Sequence, residues 1–388
     1  VRLGEIGVQR DGLVITGDGL IQLPQFLERN AQVVMRLEKL RTERHRLAVM
    51  GDGFVRALLR HQNAAQVGVR LGEIGVQRDG LAVAGGGVLG LAVAAAMARE
   101  SASWGSIIVV DAAPKHGMHT SSRNSGVIHA GIYYAEGSLK AELCVRGKQM
   151  LYEYVADRGV AHAQCGKLIV ASSGEADAAK LDKLISNARA AGVHDLVRLD
   201  DAQVAQLEPN VVSSGGAVLS PSTGIVDAPG LMVSYLAEIE DASGVFVPNT
   251  QITGVVARTD GAFDVHAADG SVIRAGTFIN ATGLWSGAFA QHCEWRNELG
   301  GEPLLAPDSL PTVTFLKGNF FAVAPSVAAR LDFRHLIYPL PASHSLGIHV
   351  TFDTDGNVTL GPDQEFGAAF DPYASLEAQP DYSVDAAR

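Results

Sequence analysis

The stretch "LAVAGGGVLGLAVAAAMARE", residues 81–100, decides the fold. Eighteen uncharged residues precede Arg99, and four of them are glycines. A run of this length sits at the lower edge of what crosses a hydrocarbon core of about 30 Å. Its internal order favours another reading. Leu81 to Ala84 is a short apolar run of strand type, Gly85-Gly86-Gly87-Val88-Leu89-Gly90 fits G-x-G-x-x-G, and Leu91 to Ala98 is an Ala-rich helix. A dinucleotide fold needs one glycine for a tight turn, one where backbone meets pyrophosphate and one where helix packs on strand. Gly85, Gly87 and Gly90 fill those places, and the helix N-terminus offers N–H groups and a partial positive charge to a phosphate. The β-branched run Ile107 to Val110 then suits a buried parallel strand. Asp111 follows it, 21 residues past Gly90, where the fingerprint places a carboxylate that accepts hydrogen bonds from an adenosine ribose.

At 388 residues the chain has room for two domains or one large composite one. Its composition, 47% hydrophobic and 19% charged, is that of a globular protein, and 43 glycines point to many turns. A net charge of -11 disfavours nucleic acid as a partner. Cys144, Cys165 and Cys293 are widely spaced with no C-x-x-C. That pattern gives no metal site and suggests reduced cytosolic thiols. No secretory leader pattern is read before the fold.

The first eighty residues read differently. "VRLGEIGVQRDGL" occurs at Val1 to Leu13 and again, letter for letter, at Val69 to Leu81. Structural repeats drift in sequence and usually need about three copies, so thirteen identities in two copies resemble duplicated DNA. Residues 1–80 hold 12 Lys+Arg against 9 Asp+Glu, and the remainder 19 against 33. The balance therefore turns acidic where the nucleotide fold begins. Residues 1–78 read as a partly helical appendage with little apolar surface to bury, and the basic excess is too small to argue for a nucleic-acid arm.

From Leu81 onward, several motifs appear in one order. They are "HTSSRNSGVIHAGIYYAEGSLKAELCVRG" (His119 to Gly147), "CGKLIVA" (Cys165 to Ala171), "STGIVDAPGL" (Ser222 to Leu231), "INATGLWS" (Ile279 to Ser286), "FLKGNFFAV" (Phe315 to Val323) and "HLIYPLPASHSLGIHVTFDTDGNVTLGPD" (His335 to Asp363). On these the chain resembles the FAD-dependent oxidoreductases of the D-amino-acid-oxidase type, most closely their L-2-hydroxyglutarate dehydrogenase/oxidase branch. The resemblance implies an α/β fold: a Rossmann-like FAD-binding domain (79–155 and 222–298) with an interleaved α+β substrate domain (156–221 and 299–388). It also implies FAD as cofactor, a small 2-hydroxy acid oxidised to a 2-oxo acid, and a quinone or oxygen as electron acceptor. A cytoplasmic protein, with peripheral contact to a membrane allowed and no transmembrane segment, completes that expectation. The family's sequences continue beyond "DYSVDAAR" (Asp381 to Arg388), and the resemblance implies that the continuation supplies a closing strand, a turn near the flavin ring and a helix.

The residues agree with this reading where they speak. Thr120-Ser121-Ser122 and Asn124-Ser125-Gly126 form a polar, turn-rich loop soon after Asp111. Such a loop either brings hydroxyls and backbone donors to a cofactor or is an ordinary surface loop. The family match places Thr120, Ser121, Asn124, Ser125 and Gly126 at the cofactor, and Thr282 and Gly283 of "ATG" with them. Ser138 caps a predicted helix reaching about Asp157, with Leu139, Leu143 and Leu151 expected to face inward. Glu175 to Ala190 is a second helix with Leu181, Leu184, Ile185 and Ala188 as its stripe. Val245 to Asn280 reads as five short strands, with Asp260-Gly261 and Asp269-Gly270 as turns.

Oxidation of an alcohol by a flavin needs a base for the hydroxyl proton while hydride leaves the carbinol carbon. Histidine suits that base. Within the matched motifs His129 is the first candidate and His349 the second; each is equally readable as a hydrogen-bonded core histidine. A dicarboxylate also needs cations or aligned donors. Arg123 and Lys317 are the candidate cations, and Tyr133, Tyr134 and Tyr338 the hydroxyl donors. Two alternatives stay open: another oxidoreductase of the same fold, acting on glycerol-3-phosphate or an amino acid, or an inactive product of a rearranged gene.

Overall fold

The computed structural model describes residues 14–16, 19–21, 80–100, 105–292, 294–298, 316–341, 347–363 and 365–366. The backbone divides into two units, Val1–Val69 and Arg70–Arg388. In the first, β1 (Val14–Thr16) and β2 (Gly19–Ile21) pair antiparallel. The helical part expected of residues 1–78 lies outside the described residues.

In the second unit the stretch at 81–100 is a strand, a turn and a helix: β3 (Leu81–Ala84) runs into α1 (Val88–Arg99). Strand β4 (Ile107–Val110) follows. All four residues of each strand are buried, which is why both read as unbroken apolar runs. They form the centre of a parallel sheet with β11 (Val245–Val247) beside β4 and β15 (Thr277–Asn280) beside β3. Alternation along β3 sorts its side chains into two cores. Leu81 and Val83 pack with Leu91, Ala94 and Ala98 of α1 and with Met232 and Ile239 of α5 (Ala228–Asp241). Ala82 and Ala84 pack with Val255, Val265 and Ile273 on the opposite face. Those three belong to β12 (Ile252–Ala257), β13 (Phe263–Ala267) and β14 (Val272–Ala275), an antiparallel layer extended by β16 (Glu294–Asn297).

A seven-stranded mixed sheet forms the other half. Its order is β18 (Phe321–Ala322), β21 (Val358–Gly361), β20 (His349–Phe352), β19 (Leu336–Pro339), β7 (Lys167–Val170), β9 (Ala217–Ser220) and β8 (Val197–Leu199). One face carries Ile169 and Val218 against Leu181 and Ala188 of α3 (Glu175–Ala190), as the helical stripe predicts. The other carries Leu168, Val170 and Ile337. A three-stranded sheet, β5 (Val127–Ile128), β10 (Gly224–Val226) and β6 (His162–Ala163), adds Ile225 to a core with Leu336 and Tyr338.

Helix α2 (Leu139–Arg158) starts at Ser138 as expected, whose Oγ accepts from Ala141 N at 3.2 Å, and ends at Gly159 in the left-handed conformation. Its inward face differs from the expected one. Leu139 and Leu143 are 68% and 52% exposed, while Ala141, Val155 and Leu151 are packed. The helix has apolar residues on both sides, so leucine positions alone do not set its phase. A short helix, α4 (Asp201–Leu207), is closed by a capping box between Asp200 and Gln203.

Candidate active site

At the nucleotide turn each glycine answers a different steric demand. Gly85 has φ +115°, and a Cβ there would stand 2.2 Å from the Ala281 carbonyl oxygen. A Cβ on Gly90 would meet the Gly85 carbonyl oxygen at 1.9 Å. Both contacts are with backbone, which cannot swing away. Gly87 is different: its Cβ would meet only the Ser121 hydroxyl, at 3.0 Å. Gly86, read as a free position of the motif, is constrained as well, because a Cβ would lie 2.5 Å from the Phe246 ring.

The Asp111 carboxylate is anchored by two backbone donors, Gly86 N at 2.6 Å and Ala113 N at 2.8 Å. It is thereby held against the turn with lone pairs to spare for a ribose hydroxyl. Ser121 Oγ accepts from Val88 N at 2.9 Å, at the head of α1, whose first turn carries no acidic residue. Thr120, Ser121 and Ser122 form a 3-10 turn, and the Thr120 hydroxyl lies 3.9 Å from where a Cβ on Gly283 would stand. His119 packs edge-on against Trp285 at 4.5 Å, joining this loop to the turn after β15. The Thr282 hydroxyl donates to the Asn280 side-chain oxygen at 2.7 Å. Asn124 serves the loop itself: its amide donates to the Ser121 carbonyl and its oxygen accepts from Gly126 N. Gly126 has φ +63°, and its carbonyl accepts from Val226 N on β10; Ser125 is half-buried beside it. A glycine-lined turn at a helix head, with a fixed carboxylate at the strand tip, fits a dinucleotide.

A second constellation gathers on the seven-stranded sheet. Ile337 pairs with Val350, which sets Tyr338 beside His349, and their rings stack at 3.6 Å and 7°. Both are buried. The loop after β5 brings His129 and Tyr133. His129 is exposed as a residue, yet the protein packed around its ring desolvates it, and this, with the Lys167, His349 and Lys140 charges after it, lowers its pKa to about 4. Tyr133 Oη is buried with no hydrogen-bond partner, and burial pushes its pKa up. Burial likewise raises Tyr338 to about 12. Tyr134, next to Tyr133 in the chain, has Lys140 over its ring, with Nζ 4.6 Å from the ring centre.

The structure brings together His129, His349, Tyr133 and Tyr338, and adds Lys167, which sequence reasoning missed. Lys167 is 1% exposed, and its Nζ sits 4.6 Å from the Tyr338 ring centre and 5.0 Å from that of Tyr133. The available signal was a lysine inside "CGKLIVA", at the head of an otherwise apolar strand. The two cations read from sequence occupy other surroundings. Arg123 is exposed and donates to the Met118 carbonyl and the Ser122 hydroxyl within its own loop. Lys317 is exposed on a two-stranded ribbon, β17 (Leu316–Lys317) with β22 (Glu365–Phe366). Among the described residues no group of three or more His, Cys, Asp or Glu could hold a metal ion, and no helix is long and apolar enough to cross a membrane.

Residues 81–388 match the family described as FAD dependent oxidoreductase, so the chain belongs to that family. Its cofactor is FAD, in keeping with the turn at Gly85–Gly90. The chain is 31% identical over 331 residues to the mitochondrial L-2-hydroxyglutarate dehydrogenase of Arabidopsis thaliana, covering 78% of this chain and 65% of that one. The human mitochondrial enzyme of the same name is 32% identical over 287 residues, 71% of this chain and 58% of that one. The Escherichia coli K12 L-2-hydroxyglutarate dehydrogenase is 30% identical over 248 residues, 63% and 54%. This chain thus spans between about half and two thirds of the length of these curated relatives. Among solved structures, an L-α-glycerophosphate oxidase from Mycoplasma pneumoniae with FAD bound superposes with a TM-score of 0.65 at 21% identity, over 77% of this chain and 75% of that one. A glycine oxidase from Geobacillus kaustophilus gives 0.59 at 17%, over 75% and 72%. At such identities these likenesses speak for the fold alone.

Proposed function

We propose that this chain carries out FAD-dependent oxidation of a small L-2-hydroxy acid, L-2-hydroxyglutarate to 2-oxoglutarate. The observation that carries the reading is the meeting of His129, Tyr133, Tyr338 and His349 in one cluster, in a chain whose curated relatives bear that activity in their names. When bound, FAD supplies the acceptor for the hydride. His129 takes the hydroxyl proton on a ring nitrogen as the carbinol carbon gives up hydride. Burial keeps that ring neutral at physiological pH, the form a base requires. Stacking on Tyr338 fixes the His349 plane, and His349 stands second in line for the same role. Gly85, Gly87, Gly90, Asp111, Thr120, Ser121, Asn124, Ser125, Gly126, Thr282 and Gly283 belong to the cofactor side in this proposal, with segments 79–155 and 222–298. Segments 156–221 and 299–388 belong to the substrate side. Arg123 and Lys317 drop behind Lys167 as the substrate's cation.

The same reading includes a quinone or oxygen as final electron acceptor. It also includes a cytoplasmic location, with peripheral membrane contact allowed. The test is His129→Ala in the FAD-loaded protein. Anaerobic flavin reduction by L-2-hydroxyglutarate should slow by about 10²-fold or more, the usual share of a positioned base. Reduction at the wild-type rate moves the base to His349.

A further inference from the structure

Lys167 stands at the head of β7, and its register partner on β19 is Leu336. Its side chain therefore leaves the sheet on the face that also carries Ile169 and Tyr338. There it is enclosed almost completely, with aromatic rings of Tyr133 and Tyr338 against the ammonium. Among the described residues, no carboxylate lies within ion-pair distance of Nζ. Ring faces attract a cation but do not neutralise it, and a buried charge without a counter-ion is expensive. Two further observations point to what completes it. The Tyr133 hydroxyl, whose ring touches the same ammonium, is buried and lacks a hydrogen-bond partner. His129 is close enough for the Lys167 charge to act on its ring, and its carbonyl accepts from Cys144 Sγ at 3.4 Å. An unpaired cation, an unpaired hydroxyl and a base are thus gathered in one place.

We propose that Lys167 binds the carboxylate next to the reacting carbinol, and that the Tyr133 hydroxyl donates a second hydrogen bond to that carboxylate. The assignment rests on the 2-hydroxy acid reading and deepens it. It places the C1 carboxylate at Lys167–Tyr133 and leaves the hydroxyl for His129. It makes Lys167 a requirement for every 2-hydroxy acid this site accepts, whatever lies at the far end of the molecule.

The experiment uses the full chain loaded with FAD and the product of the proposed reaction, 2-oxoglutarate, which has no carbinol left to oxidise, with pyruvate and acetate beside it. Affinities are read from perturbation of the flavin spectrum and from the thermal shift each carboxylate produces. Wild type should bind 2-oxoglutarate, and Lys167→Met should bind it at least about 30-fold more weakly, the range for truncating one member of a buried charge pair. Lys167→Met should itself melt no lower than wild type, because it replaces a buried charge by an apolar chain of similar length; Lys167→Gln provides the same reading should the methionine variant lose its FAD. Affinity within threefold of wild type in either variant overturns the assignment, as does a wild-type protein that binds none of the three carboxylates. A wild type that ignores 2-oxoglutarate but binds pyruvate or acetate through Lys167 supports the assignment and sinks the 2-hydroxyglutarate reading instead.

Discussion

Burial acts on His129 and Lys167 in the same direction, against the charged form, and that sets the charge state the proposed reaction would use. His129 is lowered to about 4 and Lys167 to about 8, so near neutrality one is a neutral base and the other remains largely an ammonium. The groups around them are Tyr133, Tyr338, His349, Cys144 and Lys140, none of which is a carboxylate. The expected kcat/KM profile for a 2-hydroxy acid is therefore a plateau bounded by about 4 and about 8, with an acid limb well below that of an ordinary histidine. Lys167→Met should abolish the alkaline limb; an unaltered alkaline limb in that variant contradicts the role given to Lys167. Stability follows the same pKa. Between pH about 8 and 10.5 the unfolded chain binds the Lys167 proton and the folded one does not, so stability rises with pH across that window and the penalty is full below it. At pH 7 Lys167→Met is expected to gain up to about 3 kcal/mol, read as a higher Tm. His129 and His349 were legible in the sequence because they stand in recognisable motifs. Lys167 was not, because a lysine's burial depends on which strands close over it.

The glycine turn and the helices around it carry predictions of a different kind. Gly90→Ala drives a Cβ into the Gly85 carbonyl, and no side chain can yield; that variant should melt well below wild type. Gly87→Ala meets only a serine hydroxyl, so it should fold and melt near wild type without cofactor, yet hold FAD more weakly. Equal losses of stability in the two apoproteins would contradict the separation of packing glycine from cofactor glycine. A second joint ties α1, α2 and α5 together. Glu238 is buried, accepts from Arg99 at 2.6 Å, and has Arg158 at 2.8 Å from its other oxygen, near enough to pair in charge but off the hydrogen-bond direction. Both arginines are substantially exposed, so Glu238→Gln should cost about 1 to 2 kcal/mol and not the full value of a buried pair, measurable by denaturant melts. The five short strands expected in residues 245–280 are all present, because β-branched runs and Asp-Gly turns are local signals. Their partners were not. Strands β11 and β15 join the parallel sheet while β12, β13 and β14 form a separate layer, a choice made by packing against β3 and β4. The phase of α2 was misjudged for the related reason that Leu139 and Leu143 look buried only if leucine is equated with core.

On the scale of the whole molecule, two sheets carry the two parts of the proposed site. The parallel sheet ends at the glycine turn and Asp111, and the seven-stranded sheet carries Lys167, Tyr338 and His349. The chain order of the motifs already implied this alternation, since the segments building one sheet interrupt those building the other. The central claim is that these two parts serve one reaction, electrons passing from a small L-2-hydroxy acid to FAD. The most direct test is the visible spectrum of the purified, FAD-loaded chain, followed without oxygen after addition of L-2-hydroxyglutarate and, separately, of its D enantiomer. The account predicts a yellow protein whose flavin absorbance is bleached by the L acid and far more slowly by the D acid, with 2-oxoglutarate formed one for one with reduced flavin, because a fixed carboxylate and base admit only one hand. A flavin left fully oxidised by the L acid, or bleached at the same rate by both enantiomers, would contradict it.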